Sequence, residues 1–427
     1  MKRYILILLT IIFIAFSYII INLFKKDENI LLNDKGIKRS IIAGGLKGAK
    51  DFTEGDGDIY IAFSSRIQVI KSNGKSYMLL DDRSLDIKGI QFWEGKLYLL
   101  SKSSLMCLNL SDGSLKELVK DMPNYGDYGD GKLLIRNGTI YISIGAATNS
   151  GVVGDDNTWK DLYPFNCDIP PKDISINAVS GSKTGAFVPF NTKNVQGQKI
   201  AGHFPGNASV ITYSINKGET SLFCWGIRNV KGMDCDSDGR IVASVGGMEP
   251  RGSRPVKGDV DYIYELKEGI WYGWPDYSGG DPINSPRFRG VNDGRIAFVL
   301  QKHPSNNPPA PLYQHKTLSS LSIVAVDRKG AIGDKDCIYF YDNKDNIIYG
   351  MNKKGIVESK LRLADGMRLS AMKASDNGMM ILEQNEGYLV KLGAENEAIR
   401  KGSNIILVYS LVLILTSAAI IVWKSKK

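Results

Sequence analysis

The sequence has few of the residues that most often carry chemistry. It contains three histidines in 427 residues, and its five cysteines are widely spaced without a C-x-x-C pair. An odd number of scattered cysteines is more typical of buried thiols than of a disulfide framework or a zinc site, although Cys224 and Cys235 could pair. Clear kinase, hydrolase and nucleotide-binding motifs are absent, and the glycines stand at turns. The sequence therefore gives no sign of a kinase, a hydrolase or a nucleotide-binding protein.

Acidic residues are absent from both ends of the chain. The formal net charge is +9, and residues 1–26 and 424–427 contribute seven lysines and arginines to it without any acid. Subtracting these seven charges from nine leaves +2 for the rest of the chain. A nucleic-acid-binding domain needs a concentrated basic surface, so we do not expect nucleic acid as a partner.

Two long apolar runs lie at these ends. The run 4–24 has 21 uncharged residues, and the run 405–423 has 19. At a rise of about 1.5 Å per residue, either helix can cross a hydrocarbon core of about 30 Å. We predict that residues 1–26 form an uncleaved signal anchor, with a cleaved signal peptide as the alternative. The second run is predicted as a transmembrane helix rather than a buried core helix, because the basic tail 424–427 follows it directly.

The flanking charges indicate the orientation of these segments. Lysines and arginines concentrate on the cytoplasmic side of membrane helices, and three lysines follow the second run. We therefore predict a two-pass protein of the cell membrane, with both termini inside and the middle domain on the extracytoplasmic side. Residues 27–37 and 396–404 would be linkers to a domain at 38–395. The lipid bilayer is then an expected partner, and the domain would be tethered to it through its first and last structural units.

Sustained helical periodicity is almost absent between the two membrane segments. Instead, a turn with glycine and a short strand of β-branched and aromatic residues recur, because Asp-Gly and Asn-Gly supply the positive φ angles of a tight turn. The copies are Asp56–Tyr60, Glu94–Tyr98, Asn137–Tyr141, Asp238–Val242, Asp376–Met380 and a degenerate Lys335–Tyr339. Six units of roughly 60 residues are typical of four-stranded blades with long loops. We predict an all-β fold, a six-bladed β-propeller flanked by the two transmembrane helices, rather than two β-sandwiches.

Several motifs stand in an order that resembles a known family. They are Trp225–Asn229, Arg251–Pro255, Trp271–Gly280, the loop 147–157 and the segment 301–304. Together they resemble the glucose/sorbosone dehydrogenase family, six-bladed propellers whose best-known members oxidise sugars with pyrroloquinoline quinone (PQQ). The chain is identified as a divergent member. The tryptophans would serve blade packing, or would stack on a sugar.

The resemblance implies a cofactor site. In the family an arginine–asparagine pair lines the quinone, a role that falls here to Arg228 and Asn229. Arg368 lies where family members often have further basic residues. Gly247 and Glu249 lie near the family's quinone and Ca²⁺, where a carboxylate and exposed carbonyls could hold the ion. PQQ and Ca²⁺ are therefore the expected cofactors. The alternative for Arg228 is that it fixes a loop through backbone carbonyls.

The catalytic base of the family does not align. The family uses a histidine there, and this sequence places Tyr128 at that position. A tyrosine with a pKa near 10 is a poor base at neutral pH, whereas a histidine near 6.5 is well matched. Asp127 or Asp130 could substitute as the base.

Two functions follow from this pattern. The domain could be a PQQ-dependent dehydrogenase that oxidises sugars or alcohols with an altered base. Alternatively, it could be a catalytically inactive propeller that binds a cell-wall glycan, a small ligand or a partner protein. The loss of the histidine favours the second function.

Overall fold

The computed structural model describes residues 30–32, 37–161, 166–179 and 183–394, and these ranges are all-β apart from a short 3-10 helix at Val291–Asp293. No helix within them is long and apolar enough to cross a membrane. The predicted membrane segments 1–26 and 405–423 lie outside these ranges, together with the linker 396–404 and the tail 424–427.

The strands form six four-stranded blades, numbered here in chain order. Two strands precede the first blade, β1 (Ile30–Leu32) and β2 (Ile37–Ala43). Blade 1 contains β3 (Asp51–Gly55), β4 (Asp58–Ala62), β5 (Arg66–Ile70) and β6 (Ser76–Asp81). Blade 2 contains β7 (Ile87–Trp93), β8 (Lys96–Ser101), β9 (Ser104–Asn109) and β10 (Leu115–Val119).

Blades 3 and 4 carry insertions. Blade 3 contains β11 (Leu133–Arg136), β12 (Thr139–Ile144), the inserted hairpin β13 (Ile174–Ile176) and β14 (Gln198–Ile200), then β15 (Ser209–Ser214) and β16 (Glu219–Trp225). Blade 4 contains β17 (Val230–Cys235), β18 (Ile241–Val245), β19 (Tyr262–Leu266), the inserted β20 (Tyr277–Ser278) and β21 (Asp281–Pro282), then β22 (Tyr313–Gln314). The two insertions share one buried core, in which Ile176 pairs with Leu300.

The last two blades close the ring. Blade 5 contains β23 (Leu321–Asp327), β24 (Cys337–Asp342), β25 (Ile347–Met351) and β26 (Val357–Leu363). Blade 6 contains β27 (Leu369–Ser375), β28 (Gly378–Glu383), β29 (Tyr388–Ala394) and, as its outermost strand, β2. The six innermost strands, β3, β7, β11, β17, β23 and β27, contact one another in sequence around the axis. The predicted six-bladed propeller is thus confirmed.

The N-terminal strand closes blade 6 rather than beginning blade 1. In the antiparallel pairing of β2 with β29, Ile37 lies opposite Ala394. The N-terminal end of the predicted domain 38–395 therefore belongs to the last blade and not to the first, where it was expected. Attachment to the bilayer stays a prediction. In the stretch predicted as the linker 27–37, β1 adds a fifth strand to blade 5 by pairing with β26.

The six repeated turns each join the first and second strands of one blade. Asp56 and Gly57 have φ angles of 51° and 81° between β3 and β4, as a type I′ hairpin requires. Hydrophobic faces of neighbouring blades then pack together. One such cluster joins Ile61 of blade 1 to Leu382 of blade 6, for example, and both side chains are fully buried. Burial of such a side chain contributes roughly 1.5–3 kcal/mol.

All five cysteines are free thiols, so Cys224 and Cys235 do not pair. Cys107 and Cys167 are half-buried, and the other three are buried. The interpretation of the cysteines as buried thiols therefore holds for Cys224, Cys235 and Cys337.

Candidate functional site

The candidate site lies at the face where the six innermost strands begin, here called the upper face. Arg228 and Asn229 directly precede β17, and Tyr128 lies in the loop before β11. Glu249 follows the end of β18, which is antiparallel to β17 and therefore ends at the same face. A glycine is needed at position 226, two residues before Arg228. The φ angle of Gly226 is +68°, which favours glycine, and a Cβ there would lie 2.3 Å from the ring of Trp271.

Arg228 is buried, and all five of its N–H donors have acceptors. It is 4% exposed. Its Nε donates to the carbonyl of Asn149 at 2.9 Å, and Nη2 donates to Oδ1 of Asn149 at 2.9 Å and to the hydroxyl of Tyr128. Its Nη1 donates to the carbonyls of Gly246, at 3.3 Å, and Gly247. A guanidinium has five donors, so none remains for a ligand carboxylate.

The hydroxyl of Tyr128 lies at the centre of a charged cluster. It accepts from Nη2 of Arg228 and from Nη2 of Arg251, the latter at 2.7 Å, and it donates to Oε2 of Glu249 at 2.9 Å. Burial raises the pKa of Tyr128, and the two arginines only partly oppose this effect. The phenol is therefore protonated at neutral pH, and this state does not suit it to take a proton from a substrate alcohol.

Asp127 is likewise fully engaged. Its Oδ1 accepts from the indole of Trp159 at 2.7 Å, and its Oδ2 accepts from Asn157 and Arg251, both at 2.8 Å. Asp130 instead pairs with Lys88 at 3.2 Å. Three donors around one carboxylate occupy lone pairs that a general base would use. The structure thus places both carboxylates near the site without freeing Asp127 for proton abstraction.

Glu249 and Gly247 do not form a Ca²⁺ site in this arrangement. The side chain of Glu249 accepts from Ser319 at 3.0 Å and pairs with Arg251 at 2.5 Å and with Arg228 at 3.6 Å. Burial would raise the pKa of Glu249, but Arg228 and Arg251 lower it to about 2. The carbonyl of Gly247 faces the guanidinium of Arg228, where a second cation would be repelled. No group of three or more potential ligands from histidine, cysteine, aspartate and glutamate occurs in the described ranges.

The space beside Arg228 is also too small for a quinone. The cavity that it lines has a volume of about 20 Å³, which is room for about one water molecule. Saturated donors and a closed cavity mean that the residues present do not fit PQQ as they are arranged. The alternative prediction for Arg228, a residue that fixes loops through backbone carbonyls, describes these contacts.

Asn149 is a site residue that the sequence reasoning did not single out. Its Oδ1 accepts from Arg228 and from the amide of Glu249 at 2.7 Å, and its Nδ2 donates to the carbonyl of Glu249 at 2.7 Å. It therefore joins the insertion of blade 3 to the loop after β18. The signal was its place in the loop 147–157, which carried part of the family resemblance.

The other predicted residues make contacts of their own. Asn229 is 5% exposed, and its carbonyl accepts from the amide of Gly246 at 2.9 Å. Arg368 directly precedes β27, where its Nη1 donates to Asn346 of blade 5 at 2.5 Å, and no contact joins it to Arg228. Trp271 and Trp274 are buried in the shared core of the insertions, so they serve packing.

A separate cavity of about 870 Å³ lies along the propeller axis. The innermost strands line it, and charged side chains project from them. Lys88, Lys132 and Lys231 lie at its upper end, because each stands at or next to the start of an innermost strand. Ligand sites in proteins commonly have volumes of about 300–1,000 Å³, so this cavity has the size of a small-molecule site.

No family model matches the chain, and no curated protein matches it in sequence. Solved structures match the fold. The soluble aldose sugar dehydrogenase of Escherichia coli, in the apo-form, has a TM-score of 0.56 at 13% identity, covering 84% of this chain and 100% of that chain. The holo form of the PQQ domain of pyranose dehydrogenase from Coprinopsis cinerea has a TM-score of 0.57 at 11% identity, covering 85% and 97%.

A third match has a similar extent. The PQQ-bound aldose sugar dehydrogenase of Streptomyces coelicolor has a TM-score of 0.51 at 14% identity, covering 84% of this chain and 98% of that chain. Identities this low establish the fold alone. The predicted resemblance to the glucose/sorbosone dehydrogenases is therefore confirmed for the fold. The chain has a six-bladed propeller like theirs, and its sequence is divergent.

Proposed function

We propose that this protein is a membrane-anchored propeller on the extracytoplasmic side that binds a ligand without oxidising it. The two uncharged apolar runs and the lysines after the second support the anchoring and the orientation. The fold supports a binding role, because loops on a rigid β scaffold commonly carry ligand sites. A small ligand, a sugar or a cell-wall glycan are the classes that the sequence suggests.

The observation that carries this proposal is the saturation of Arg228. A quinone cofactor rich in carboxylates would need free donors, and the five N–H groups of Arg228 all have protein acceptors. The position of the expected base holds Tyr128, whose pKa is raised by burial. The site thus lacks both an open anion receptor and a basic group of suitable pKa.

The test is to add PQQ and Ca²⁺ to the full-length protein in detergent. We expect no reduction of an artificial electron acceptor with glucose or other aldoses, and no reduction of the quinone by these sugars. The Tyr128→His variant should also be inactive, because four of the five N–H groups of Arg228 would keep their acceptors. A PQQ-dependent dehydrogenase assayed in parallel controls for the reagents, and turnover by this protein would refute the proposal.

A PQQ-dependent sugar dehydrogenase is the second candidate. The observation in its favour is that Tyr128, Arg228 and Glu249 converge at one face of the propeller. Two of the structural neighbours, a pyranose dehydrogenase domain and an aldose sugar dehydrogenase, bind PQQ. Turnover that requires PQQ and is lost in Arg228→Ala would establish it.

Topology needs its own measurement. We expect an added protease to cleave the propeller in intact cells stripped of their wall, and to leave the C-terminal tail protected. Protection of the propeller would contradict the extracytoplasmic location.

A further inference from the structure

Three lysines come together at the upper end of the axial cavity. Lys88 is the second residue of β7, Lys132 directly precedes β11, and Lys231 is the second residue of β17. These strands belong to blades 2, 3 and 4, which are consecutive around the axis. Because the innermost strands all begin at the upper face, their first residues lie at one level of the channel. We call these three side chains the lysine cradle.

The charges of the lysine cradle are poorly compensated. Lys88 pairs with Asp86 at 3.1 Å and with Asp130 at 3.2 Å. Lys132 and Lys231 form neither an ion pair nor a side-chain hydrogen bond with any residue that the structure describes. The carboxylate of Asp130, whose side chain is 77% exposed, acts on all three ammonium groups. Asp261 and Glu249 also act on Lys231, without forming an ion pair with it.

Other carboxylates near the channel already have partners. Asp51 accepts from the amide of Ile90 at 2.9 Å and pairs with Lys373 at 3.0 Å. Asp234, further down the channel, pairs with Arg328 and accepts from the amide of Val326. Neither carboxylate forms an ion pair with the lysine cradle, although the charge of Asp51 acts on Lys132.

Burial and mutual repulsion both act on these lysines. Burial lowers the pKa of Lys132, and the charges of Lys231 and Lys88 lower it further. Burial also lowers the pKa of Lys231, with a contribution from Arg228 beside it. Both side chains are half-buried and line the cavity. An anion bound between them would remove the repulsion and replace the lost hydration, as paired charges do in proteins.

We propose that the lysine cradle binds a small molecule with at least two negative charges, carried by phosphate or carboxylate groups. Three ammonium groups around a cavity of about 870 Å³ suit such a ligand in charge and in size. A neutral sugar would leave the same charges uncompensated. This inference names the ligand class for the binding role proposed above and rests on that role. The ligand would bind to the ammonium groups in the channel, because the saturated Arg228 has no free donor.

The test uses citrate and inorganic phosphate as probes of the full-length protein. Each is titrated at constant ionic strength against sodium chloride, and binding is measured by calorimetry and by the rise in Tm. We expect saturable binding of at least one probe and none of glucose. Phosphate binding alone would identify a phosphate-bearing ligand, and citrate binding alone would identify a polycarboxylate. Absence of binding by both probes would overturn the inference.

Variants locate the site. Lys132→Gln and Lys231→Gln should each weaken binding of the probe at least tenfold, whereas Lys302→Gln, an exposed lysine outside the channel, should leave it unchanged. Without probe, Lys132→Gln should keep or raise the Tm, because it removes an unpaired cation. This measurement shows whether the variant folds. Equal affinity in wild type and in both channel variants, or equal losses in all three variants, would refute the site.

The outcome is independent of the test of the proposed function. Sugar oxidation with PQQ would refute the non-oxidising role, whatever the affinity for anions. A failure of both probes to bind would refute the lysine cradle as a site and leave the absence of dehydrogenase activity unaffected.

Discussion

Replacement of Glu249 by glutamine tests whether the cluster around Arg228 is a closed structural network. Glu249 pairs with Arg251 at 2.5 Å and with Arg228 at 3.6 Å, and it accepts from Tyr128 at 2.9 Å. Glutamine keeps the size of the side chain and removes its charge. Arg228 would then be a buried cation without a carboxylate, which is the costly state for an ion pair in a protein interior.

The magnitude follows from the pKa. Burial would raise the pKa of Glu249, but Arg228 and Arg251 lower it from its ordinary 4.5 to about 2. A fall of about 2.5 in pKa corresponds to about 3 kcal/mol of folding free energy at pH 7. The side chain is 23% exposed, so screening by solvent makes this value an upper bound.

The sign of the pH dependence is fixed by the direction of the shift. Because the folded pKa lies below the unfolded one, the contribution is present above pH 4.5 and is lost as the pH falls through about 2. The free-energy difference between wild type and Glu249→Gln should therefore fall from about 3 kcal/mol at pH 7 to about 1.4 kcal/mol at pH 3.

The assay is urea unfolding of the full-length protein in detergent, followed by tryptophan fluorescence at the two pH values. Glu358→Gln is the matched control, since Glu358 pairs with Lys360 at 2.9 Å and its side chain is 62% exposed. That change should cost at most about 1 kcal/mol. A loss for Glu249→Gln that equals the control, or one that is the same at pH 7 and pH 3, would refute the closed network.

Three further substitutions have expected outcomes. Arg228→Lys supplies three donors in place of five, so at least two buried hydrogen bonds are lost, and urea unfolding should show a loss of about 2–4 kcal/mol in the free energy of unfolding. A loss below about 0.5 kcal/mol would contradict the saturation. Asp276→Asn removes the fully buried charge that pairs with the buried Arg254 2.8 Å away, and the same assay should show a loss of about 3–5 kcal/mol in the free energy of unfolding. Gly226→Ala should lower the Tm far more than Gly355→Ala, because both glycines have positive φ but only Gly226 faces a side chain, that of Trp271, within 4 Å. Equal shifts in Tm would contradict that contact.

The propeller was predictable because its signal is local. Four of the six repeated turns contain Asp-Gly or Asn-Gly, which favour a hairpin by the φ angles that they adopt, and the six turns correspond to the six blades. The closure was not predictable, since Ile37 pairs with Ala394 across nearly the whole described domain. No local pattern in β2 identifies a partner so distant in sequence. A ring that is closed by its N-terminal strand has the same turn signals as one that is not.

The site was predictable in its location and not in its chemical state. Tyr128, Arg228 and Glu249 were expected to converge from their places in the family pattern, and their side chains do contact one another. Whether Arg228 has a free donor depends on the direction of two backbone carbonyls, those of Gly246 and Gly247. Side-chain identity does not specify carbonyl directions, so the sequence left two interpretations of Arg228 open.

The contrast between the two charged regions indicates where a ligand can bind. Around Arg251 the charges are matched, because its guanidinium pairs with Asp127 at 2.8 Å, Asp156 at 2.6 Å and Glu249 at 2.5 Å. A ligand anion there must compete with three carboxylates. In the lysine cradle, Lys132 and Lys231 have no such competitors among the described residues, and the cavity is already open. Since affinity depends on interactions that the free protein has not already made, the axial channel is the favoured site for an anion.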